Sequence, residues 1–186
     1  MPKIVYTKTK GLHQTSGSGV SGLMREVIKQ TSADGWNDAA YSLTVEQSGA
    51  LILLDKNEAT AITLPAITSD DIGVTFTFLE TVASNLARSI TTAYDNDYIV
   101  GGLSIGFDAA DSGATDHVGA VVASAKKTVS FDGDLANAGG GAGSTVTLTA
   151  ISIGNTAAGG GAKSVWALTG HMVNVANNGT GSAFLA

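Results

Sequence analysis

The 186-residue chain is long enough for one domain with a hydrophobic core, or for one such domain and an arm. Hydrophobic residues make up 44% of it and charged residues only 14%, which argues against intrinsic disorder. The formal net charge of −6 disfavours non-specific binding to nucleic acid, and the absence of cysteine excludes disulfides and thiolate metal sites. No apolar run approaches the roughly 20 residues of a membrane helix, so we expect a soluble protein made in the cytoplasm.

Charge is unevenly distributed along the chain. Residues 1–40 hold five Lys and Arg against three acids, a balance of +2, whereas residues 41–186 hold five against thirteen, a balance of −8. Such asymmetry is typical of an interaction tail. We therefore predict an extended N-terminal arm over residues 1–40 and a folded body over residues 41–186.

The arm begins with "KIVYTKT", in which Ile4 and Tyr6 alternate with polar residues, and continues into the linker-like "HQTSGSGVSG" of residues 13–22. The next run, "LMREVIKQ" over residues 23–30, fits either a short helix or an edge strand. Trp36 is the only anchor in the turn "SADGWND". A strand-like segment on a Gly-Ser spacer can add to the sheet edge of a partner, and a disordered tail is the alternative.

From Tyr41 onward the hydrophobic period is two, as in half-buried β-strands. The runs "LILLD" and "TAITL", joined by residues 55–58 and closed by Pro65, predict a hairpin. "GVTFTFLE" and "STVTLTAISIG" alternate apolar residues with threonine. About ten such runs, separated by turn residues, predict an all-β fold, an antiparallel β-sandwich or barrel of jelly-roll type.

Two segments consist almost entirely of small residues, at positions 136–144 and 154–164. Their loose similarity to each other does not make a repeat architecture, because repeat folds need more than two copies. We expect both segments to be flexible connections.

Candidate metal ligands are few. His13, His117 and His171 lie in unrelated contexts without HxH or HExxH spacing, so a zinc site is not expected. Aspartates recur in "SDD", "YDNDY", "DAADS" and "FDGDL", but none of these is followed by the glutamate that closes a calcium loop. Asp and Asn favour turns through local hydrogen bonds, so we expect turn chemistry, with a bound cation as the alternative.

The sequence contains few features that would indicate an enzyme. Aromatic residues, which would stack on sugars, make up only 6% of the chain, and neither a phosphate loop nor a GxSxG nucleophile motif occurs. We therefore expect neither enzymatic activity nor a cofactor. Trp166, in the strand-like "SVWALTG", is expected to anchor a core or an interface.

One pattern of residues resembles a known family. The segment "LTVEQSGALILLDKNEATAITLPA", followed by "GVTFTFLE", combines a Leu-Thr lead-in, Ser-Gly before an apolar strand, and an "ITLP" ending before an aromatic strand. Near the end, "VWALTG" places Trp166 shortly before Gly170. Together these residues resemble the capsid decoration (cement) proteins of tailed bacteriophages. The same hairpin pattern also occurs in tail-fibre and other virion segments.

The resemblance implies a β-rich module, often a homotrimer, that lies on the capsid exterior of the virion and clamps neighbouring copies of the major capsid protein. It carries over no catalytic residue, and it implies neither nucleic acid nor a membrane as partner. The chain would be synthesised in the host cytoplasm. Two alternatives stay open: a tail-fibre, head-fibre or baseplate module that binds host glycan, and a β-sandwich hydrolase or lectin.

If the chain decorates a capsid, its binding energy comes from buried area and strand addition. We expect the contacts with the major capsid protein to come from the arm and from the apolar C-terminal end. The candidate contact residues are Lys3, Ile4, Tyr6, Lys8, Lys10, Trp36, Phe184 and Leu185.

Overall fold

The fold is known from a computed structural model. The structure describes residues 3–7, 11–16, 25–31, 36, 40–95, 97–106, 117–121, 126–132, 140–153, 164–173 and 184–185. Within this part of the chain the secondary structure is almost entirely β. The two short 3-10 helices are Val45–Gln47 and Ser69–Asp71, and the strands are β1 (Lys3–Thr7), β2 (Gly11–Ser16), β3 (Val27–Lys29), β4 (Ala40–Ser42), β5 (Leu51–Leu54), β6 (Thr60–Thr63), β7 (Thr75–Glu80), β8 (Ala87–Thr91), β9 (Tyr98–Gly106), β10 (His117–Val121), β11 (Thr128–Asp132), β12 (Thr145–Ser152), β13 (Val165–Val173) and β14 (Phe184–Leu185).

Two mixed sheets form the sandwich. One has seven strands in the order β10-β9-β13-β12-β7-β5-β3, and the other has five in the order β14-β11-β8-β6-β4. Both sheets contribute apolar side chains to a single core. The prediction of an all-β sandwich is confirmed. The strands are not all antiparallel as expected, because five neighbouring pairs, such as β5 with β7 and β6 with β8, run parallel.

The predicted hairpin of "LILLD" and "TAITL" is wrong, because its two strands belong to different sheets. β5 pairs with β7 in the seven-stranded sheet, and β6 pairs with β8 in the five-stranded sheet. Ile52 and Ile62 are both buried, so the two strands face the same core from opposite sides. The connection between them is therefore an arch that crosses the sandwich.

Three such arches stack on one another in parallel. The first links β3 to β4, the second β5 to β6, and the third β7 to β8. Val27, Leu51 and Thr77 are in register across the seven-stranded sheet, and Ile62 and Ile90 are in register across the five-stranded sheet. Stacking satisfies the backbone groups of each arch through its neighbours, and every arch adds its inward side chains to the same core.

The corners that lead into β5 and β7 repeat the same local structure 24 positions apart. Thr44 and Thr68 each precede a 3-10 helix. Their backbone N–H groups donate to side chains three residues later, Thr44 to Gln47 Oε1 at 2.9 Å and Thr68 to Asp71 Oδ2 at 2.7 Å. Each helix start thus has its first donor satisfied by a capping side chain.

Each corner ends on a glycine in the left-handed region, Gly49 at φ 89° and Gly73 at φ 100°. This conformation is accessible to glycine at no steric cost and turns the chain into the next strand. The N–H of Gly49 donates to Thr75 O at 2.7 Å, and the N–H of Gly73 donates to Ala150 O at 2.8 Å. The segments "LTVEQSGA" and "ITSDDIGV" are therefore a structural repeat that sequence reasoning did not detect.

The predicted arm is partly integrated into the sandwich. β3 lies at the edge of the seven-stranded sheet, so the edge-strand alternative for the run at residues 23–30 is confirmed over residues 27–29, and residues 23–24 lie outside the described part of the chain. β1 and β2 form an antiparallel hairpin of their own, so residues 13–16 belong to a strand rather than to a linker. Among the described residues this hairpin pairs with neither body sheet.

The core is built around large aromatic side chains. Trp166, Phe76, Phe78 and Phe131 are fully buried, which confirms the prediction for Trp166 as an anchor of the core. The ring centroids of Phe76 and Trp166 are 6.2 Å apart, within the range of favourable aromatic pairs. Phe76 is in register with Leu148 of β12, so the aromatic contact lies in the middle of the seven-stranded sheet.

Part of one small-residue segment packs tightly. Ser144 is fully buried, its Oγ donates to Gly141 O at 2.7 Å, and the N–H of Gly141 donates to Val173 O at 2.9 Å. A Cβ at Gly141 would lie 2.6 Å from Val173 O, so only glycine fits there. The expectation of a flexible connection at residues 136–144 is therefore wrong for residues 140–144, and residues 136–139 lie outside the described part of the chain.

A buried ion pair connects the arches at one end of the sandwich. Arg88, the second residue of β8, donates from Nη1 to Glu80 Oε1 at 2.8 Å, and both side chains are fully buried. Its other donors reach backbone carbonyls of two arches, those of Lys56 and Glu58 between β5 and β6, and that of Val82 between β7 and β8. One guanidinium thus satisfies acceptors that the protein has removed from water.

The β5–β6 arch is also held from its other side by Gln30, which directly follows β3 and is fully buried. Its Nε2 donates to Thr60 Oγ1 at 3.0 Å, and its Oε1 accepts from the N–H of Lys56 at 3.0 Å. Gln30 and Arg88 therefore hold the β5–β6 arch from the two sides on which its neighbours stack.

Replacing Arg88 tests this network. We expect Arg88→Ala to lower the free energy of unfolding by about 3–5 kcal/mol, because it leaves a buried carboxylate and several buried carbonyls without partners. The measurement is urea denaturation followed by tryptophan fluorescence. Lys127→Ala is the control, because Lys127 pairs with the exposed Asp95 and its removal should cost less than about 1 kcal/mol. Equal losses in the two variants would contradict the role given to Arg88.

The pH dependence of stability gives a second test. Burial raises the pKa of the Glu80 carboxyl above its ordinary value of 4.5, although Arg88 opposes the shift. The folded state thus holds this proton more tightly than the unfolded state, so the contribution of Glu80 to stability is greatest below pH 4.5 and falls as the pH rises through the folded-state pKa. We expect the unfolding free energy of wild type minus Glu80→Gln to decrease with rising pH.

Asp71→Asn supplies a control of opposite sign. Hydrogen bonds from Thr68 hold the pKa of the Asp71 carboxyl below 3.8, so its contribution is present above that pH and is lost on acidification. The wild-type minus Asp71→Asn difference should therefore increase with pH. Parallel slopes for the two variants would show that the burial of Glu80 does not govern its titration.

Candidate partner-binding site

The arm residues predicted to contact a partner are centred on the N-terminal hairpin. Lys3, Ile4 and Tyr6 belong to β1. Across the hairpin their Cα partners are Ser16, Gln14 and Leu12, with a register shift between Lys3 and Ile4. Lys8 and Lys10, between the two strands, lie outside the described residues. The structure therefore gathers three of the predicted contact positions on one short strand.

The C-terminal contact residues lie in a different sheet. Phe184 and Leu185 form β14, which pairs with β11 at the edge of the five-stranded sheet. Their Cα partners are Val129 and Thr128. Strand pairing therefore does not bring the C-terminal end together with β1, and the two groups are separate candidate contacts.

Trp36 is part of the core and not of the exposed surface, which corrects its assignment as a partner contact. Its side chain is 5% exposed and stacks on Tyr41, with ring centroids 4.6 Å apart and an interplanar angle of 8°. The backbone N–H of Trp36 donates to Thr31 O at 3.1 Å. For a single tryptophan in a polar turn, the sequence does not show whether the side chain is buried or exposed. Trp36 is buried because it stacks on Tyr41 of β4.

The aspartates that the structure describes act in turns, as expected at Asp71 and Asp97, and also in a long-range hydrogen bond and an ion pair. Asp97 is buried, its Oδ1 accepts from the N–H of Ser164 at 2.9 Å, and its Oδ2 accepts from the N–H of Tyr94 at 3.3 Å. Asp95 pairs with Lys127 at 2.6 Å, which lowers the pKa of its carboxyl. Within the described ranges no group of three or more His, Cys, Asp or Glu side chains is arranged to hold a metal ion.

A serine–histidine pair lies on the exposed surface of the seven-stranded sheet. Ser104 Oγ of β9 and His171 Nδ1 of β13 are 2.9 Å apart. The imidazole lies over Gly106, where an added Cβ would be 3.1 Å from the ring. Sequence reasoning missed this pair because the two residues are 67 positions apart and meet only through the parallel pairing of β9 and β13. The pair can donate and accept hydrogen bonds at the surface.

The surface of the seven-stranded sheet that faces away from the core carries no carboxylate at the described outward positions of β3, β5, β7, β12 and β13, and we call this part the outer face. On two neighbouring strands its threonines bond to each other, Thr75 Oγ1 to Thr149 Oγ1 at 3.0 Å and Thr77 Oγ1 to Thr147 Oγ1 at 3.2 Å. We define the outer face by the outward residues of β3, β5, β7, β12 and β13: Val27, Lys29, Leu51, Leu53, Thr75, Thr77, Leu79, Thr145, Thr147, Thr149, Ile151, Ala167, Thr169, His171 and Val173.

Comparison with known proteins assigns no family. No protein-family model matches the sequence, and no curated protein is similar to it. Among the residues that the structure describes, no helix is long and apolar enough to cross a membrane.

The burial of Trp36 leads to a direct prediction. Trp36→Ala should lower the free energy of unfolding by about 3–5 kcal/mol, because it removes a large buried side chain and its stacking on Tyr41. Tyr94→Ala, at a residue that is 62% exposed, should change it by less than about 0.5 kcal/mol. Urea denaturation measures both. If Trp36→Ala unfolds at the wild-type urea concentration, Trp36 is a surface residue and does not belong to the core.

Proposed function

We propose that the chain is a structural protein of a phage virion that binds the capsid exterior and clamps neighbouring major capsid subunits. The observation that carries the proposal is the separation of two parts. The sandwich completes its own core, whereas the β1–β2 hairpin pairs with neither body sheet among the described residues. A sandwich that has its own core, together with a hairpin that is free of both sheets among the described residues, fits a protein that attaches to another protein.

Attachment of this kind uses backbone hydrogen bonds and charge. A hairpin outside the body can add its strands to the sheet edge of a neighbouring protein, which gains main-chain hydrogen bonds without specific chemistry. The arm holds Lys3, Lys8 and Lys10 in a chain whose net charge is −6, so its lysines can meet acidic groups on the shell while the body contributes negative charge elsewhere.

The partner in this proposal is the major capsid protein, and the location is the outside of the virion after synthesis in the host cytoplasm. The contact residues proposed are Lys3, Ile4, Tyr6, Lys8 and Lys10 of the arm, with Phe184 and Leu185 as a second contact. Repeated weak contacts across a shell reinforce one another, because each bound site raises the effective concentration of the next.

Removing the hairpin tests the proposal. We expect a chain without residues 1–20 to unfold at the wild-type urea concentration and to bind stripped shells at least about tenfold more weakly, measured by co-sedimentation. The full-length variant Lys3→Glu/Lys8→Glu/Lys10→Glu keeps the hairpin and should weaken binding through charge alone. If the shortened chain saturates shells with unchanged affinity, the hairpin is not the attachment element.

A further inference from the structure

The register of three neighbouring strands brings two histidines to one place on the seven-stranded sheet. β9 lies between β10 and β13. Gly106 of β9 is the Cα partner of His117 in β10, and Ser104 of β9 is the Cα partner of His171 in β13. Directly opposite residues on neighbouring strands share a face of the sheet, as do residues two apart on one strand. His117 and His171 therefore belong to the same face, with Gly106 between them.

The imidazole of His171 lies across β9 and reaches Gly106. Its Nδ1 is 2.9 Å from Ser104 Oγ, and its Nε2 is 3.3 Å from the position that a Cβ on Gly106 would occupy. Opposite residues of an antiparallel pair have Cβ positions about 4.5–5.5 Å apart, so the Nε2 of His171 lies next to position 117. One metal ion at the usual distance of about 2.0–2.1 Å from each imidazole nitrogen can join the two histidines.

Ser104 selects the tautomer of His171 that can bind a metal ion. Its hydroxyl has one proton, and its Oγ donates to the carbonyl of Gly170 at 3.4 Å. The lone pairs of the same oxygen then accept the proton on His171 Nδ1. In this tautomer Nε2 has a lone pair and no proton. Metal-binding histidines are held in the same way, by a hydrogen bond from the ring nitrogen that does not bind the metal.

The glycine at position 106 gives the imidazole its space. An added Cβ would lie 3.1 Å from Cε1 of His171, closer than ordinary van der Waals contact. Gly106 does not have a positive φ, unlike Gly101 of the same strand, so no left-handed backbone conformation calls for glycine there. The missing side chain is what this position contributes.

We propose that His117 and His171 bind a divalent transition metal ion, such as Zn²⁺ or Ni²⁺, and that Ser104 positions His171 for this task. Imidazole nitrogen suits these metals. Within the described ranges no group of three His, Cys, Asp or Glu side chains could hold a metal, so water fills the other coordination positions. The spacing of histidines along the chain does not predict this site, because pairing through β9 joins residues 54 positions apart. The inference is independent of the capsid proposal.

The bound ion acts on the edge of the sheet. β10 is the outermost strand, and among the described strands its only partner is β9. An ion held by His117 and His171 joins β10 to β13 across β9. Because this geometry exists only in the folded chain, the ion stabilises the folded edge and opposes its local opening. The ion binds only to neutral imidazoles, so acidification releases it.

Zinc titration of the full chain, prepared without a histidine tag, tests the proposal by isothermal titration calorimetry. We expect one Zn²⁺ per chain, and at least about tenfold weaker binding in His117→Gln and His171→Gln, because each variant leaves a single protein ligand. His13→Gln, at the third histidine of the chain, is the matched control and should bind zinc as wild type does. Mg²⁺ should not compete, because it prefers oxygen ligands.

Nuclear magnetic resonance of the imidazole nitrogens tests the positioning role of Ser104. In the metal-free wild type, His171 should carry its proton on Nδ1. Ser104→Ala should lose this preference and bind Zn²⁺ about tenfold more weakly, whereas Ser104→Thr, which keeps the hydroxyl, should retain both properties. Gly106→Ala should also weaken zinc binding, because its methyl group displaces the ring.

Hydrogen exchange gives a readout that does not depend on the measured affinity. Zn²⁺ should slow exchange of the β10 amides in wild type and leave it unchanged in His117→Gln, with both proteins unfolding at the same urea concentration in the absence of metal. Wild-type zinc affinity in His117→Gln or His171→Gln, an equal loss in His13→Gln, or no effect of Zn²⁺ on β10 exchange in wild type would each overturn the proposal.

Discussion

The buried guanidinium of Arg88 is the interaction on which the stacking of the arches depends. An arch removes backbone carbonyls from water at the point where the chain leaves one sheet for the other, and those carbonyls need donors. Arg88 supplies donors to Lys56, Glu58 and Val82, and Glu80 balances its charge. Without a donor that reaches two arches at once, the parallel stacking of β5 on β7 and of β6 on β8 would bury polar groups at a large free-energy cost.

The Arg88–Glu80 ion pair lies inside the sandwich. The outward positions of β5, β7 and β12 carry apolar and hydroxyl-bearing side chains. A sandwich with its own core and a hairpin that pairs with neither body sheet among the described residues fit the proposed attachment by strand addition. Strand addition uses backbone hydrogen bonds and needs no catalytic chemistry.

Sequence patterns predicted the local structure well and the long-range pairing poorly. Period-two alternation located β7 and β12 because one face of each is buried, and the turn chemistry of Asp71 and Asp97 follows from side chains that bond their near neighbours. The pairing of β5 with β7 was not predictable in this way, because an arch and a hairpin have the same alternation and a similar polar connection. The burial of Trp36 and the meeting of Ser104 with His171 likewise depend on contacts between distant segments, which no local pattern encodes.

The most direct test of the proposed virion role is the number of copies of this chain in purified phage particles, measured by gel densitometry against the major capsid protein. Decoration of the shell predicts a ratio near one to one, or another simple fraction set by the capsid lattice. A handful of copies per particle would contradict decoration and indicate a tail or fibre component. Absence of the chain from the particle would contradict a structural role in the virion altogether.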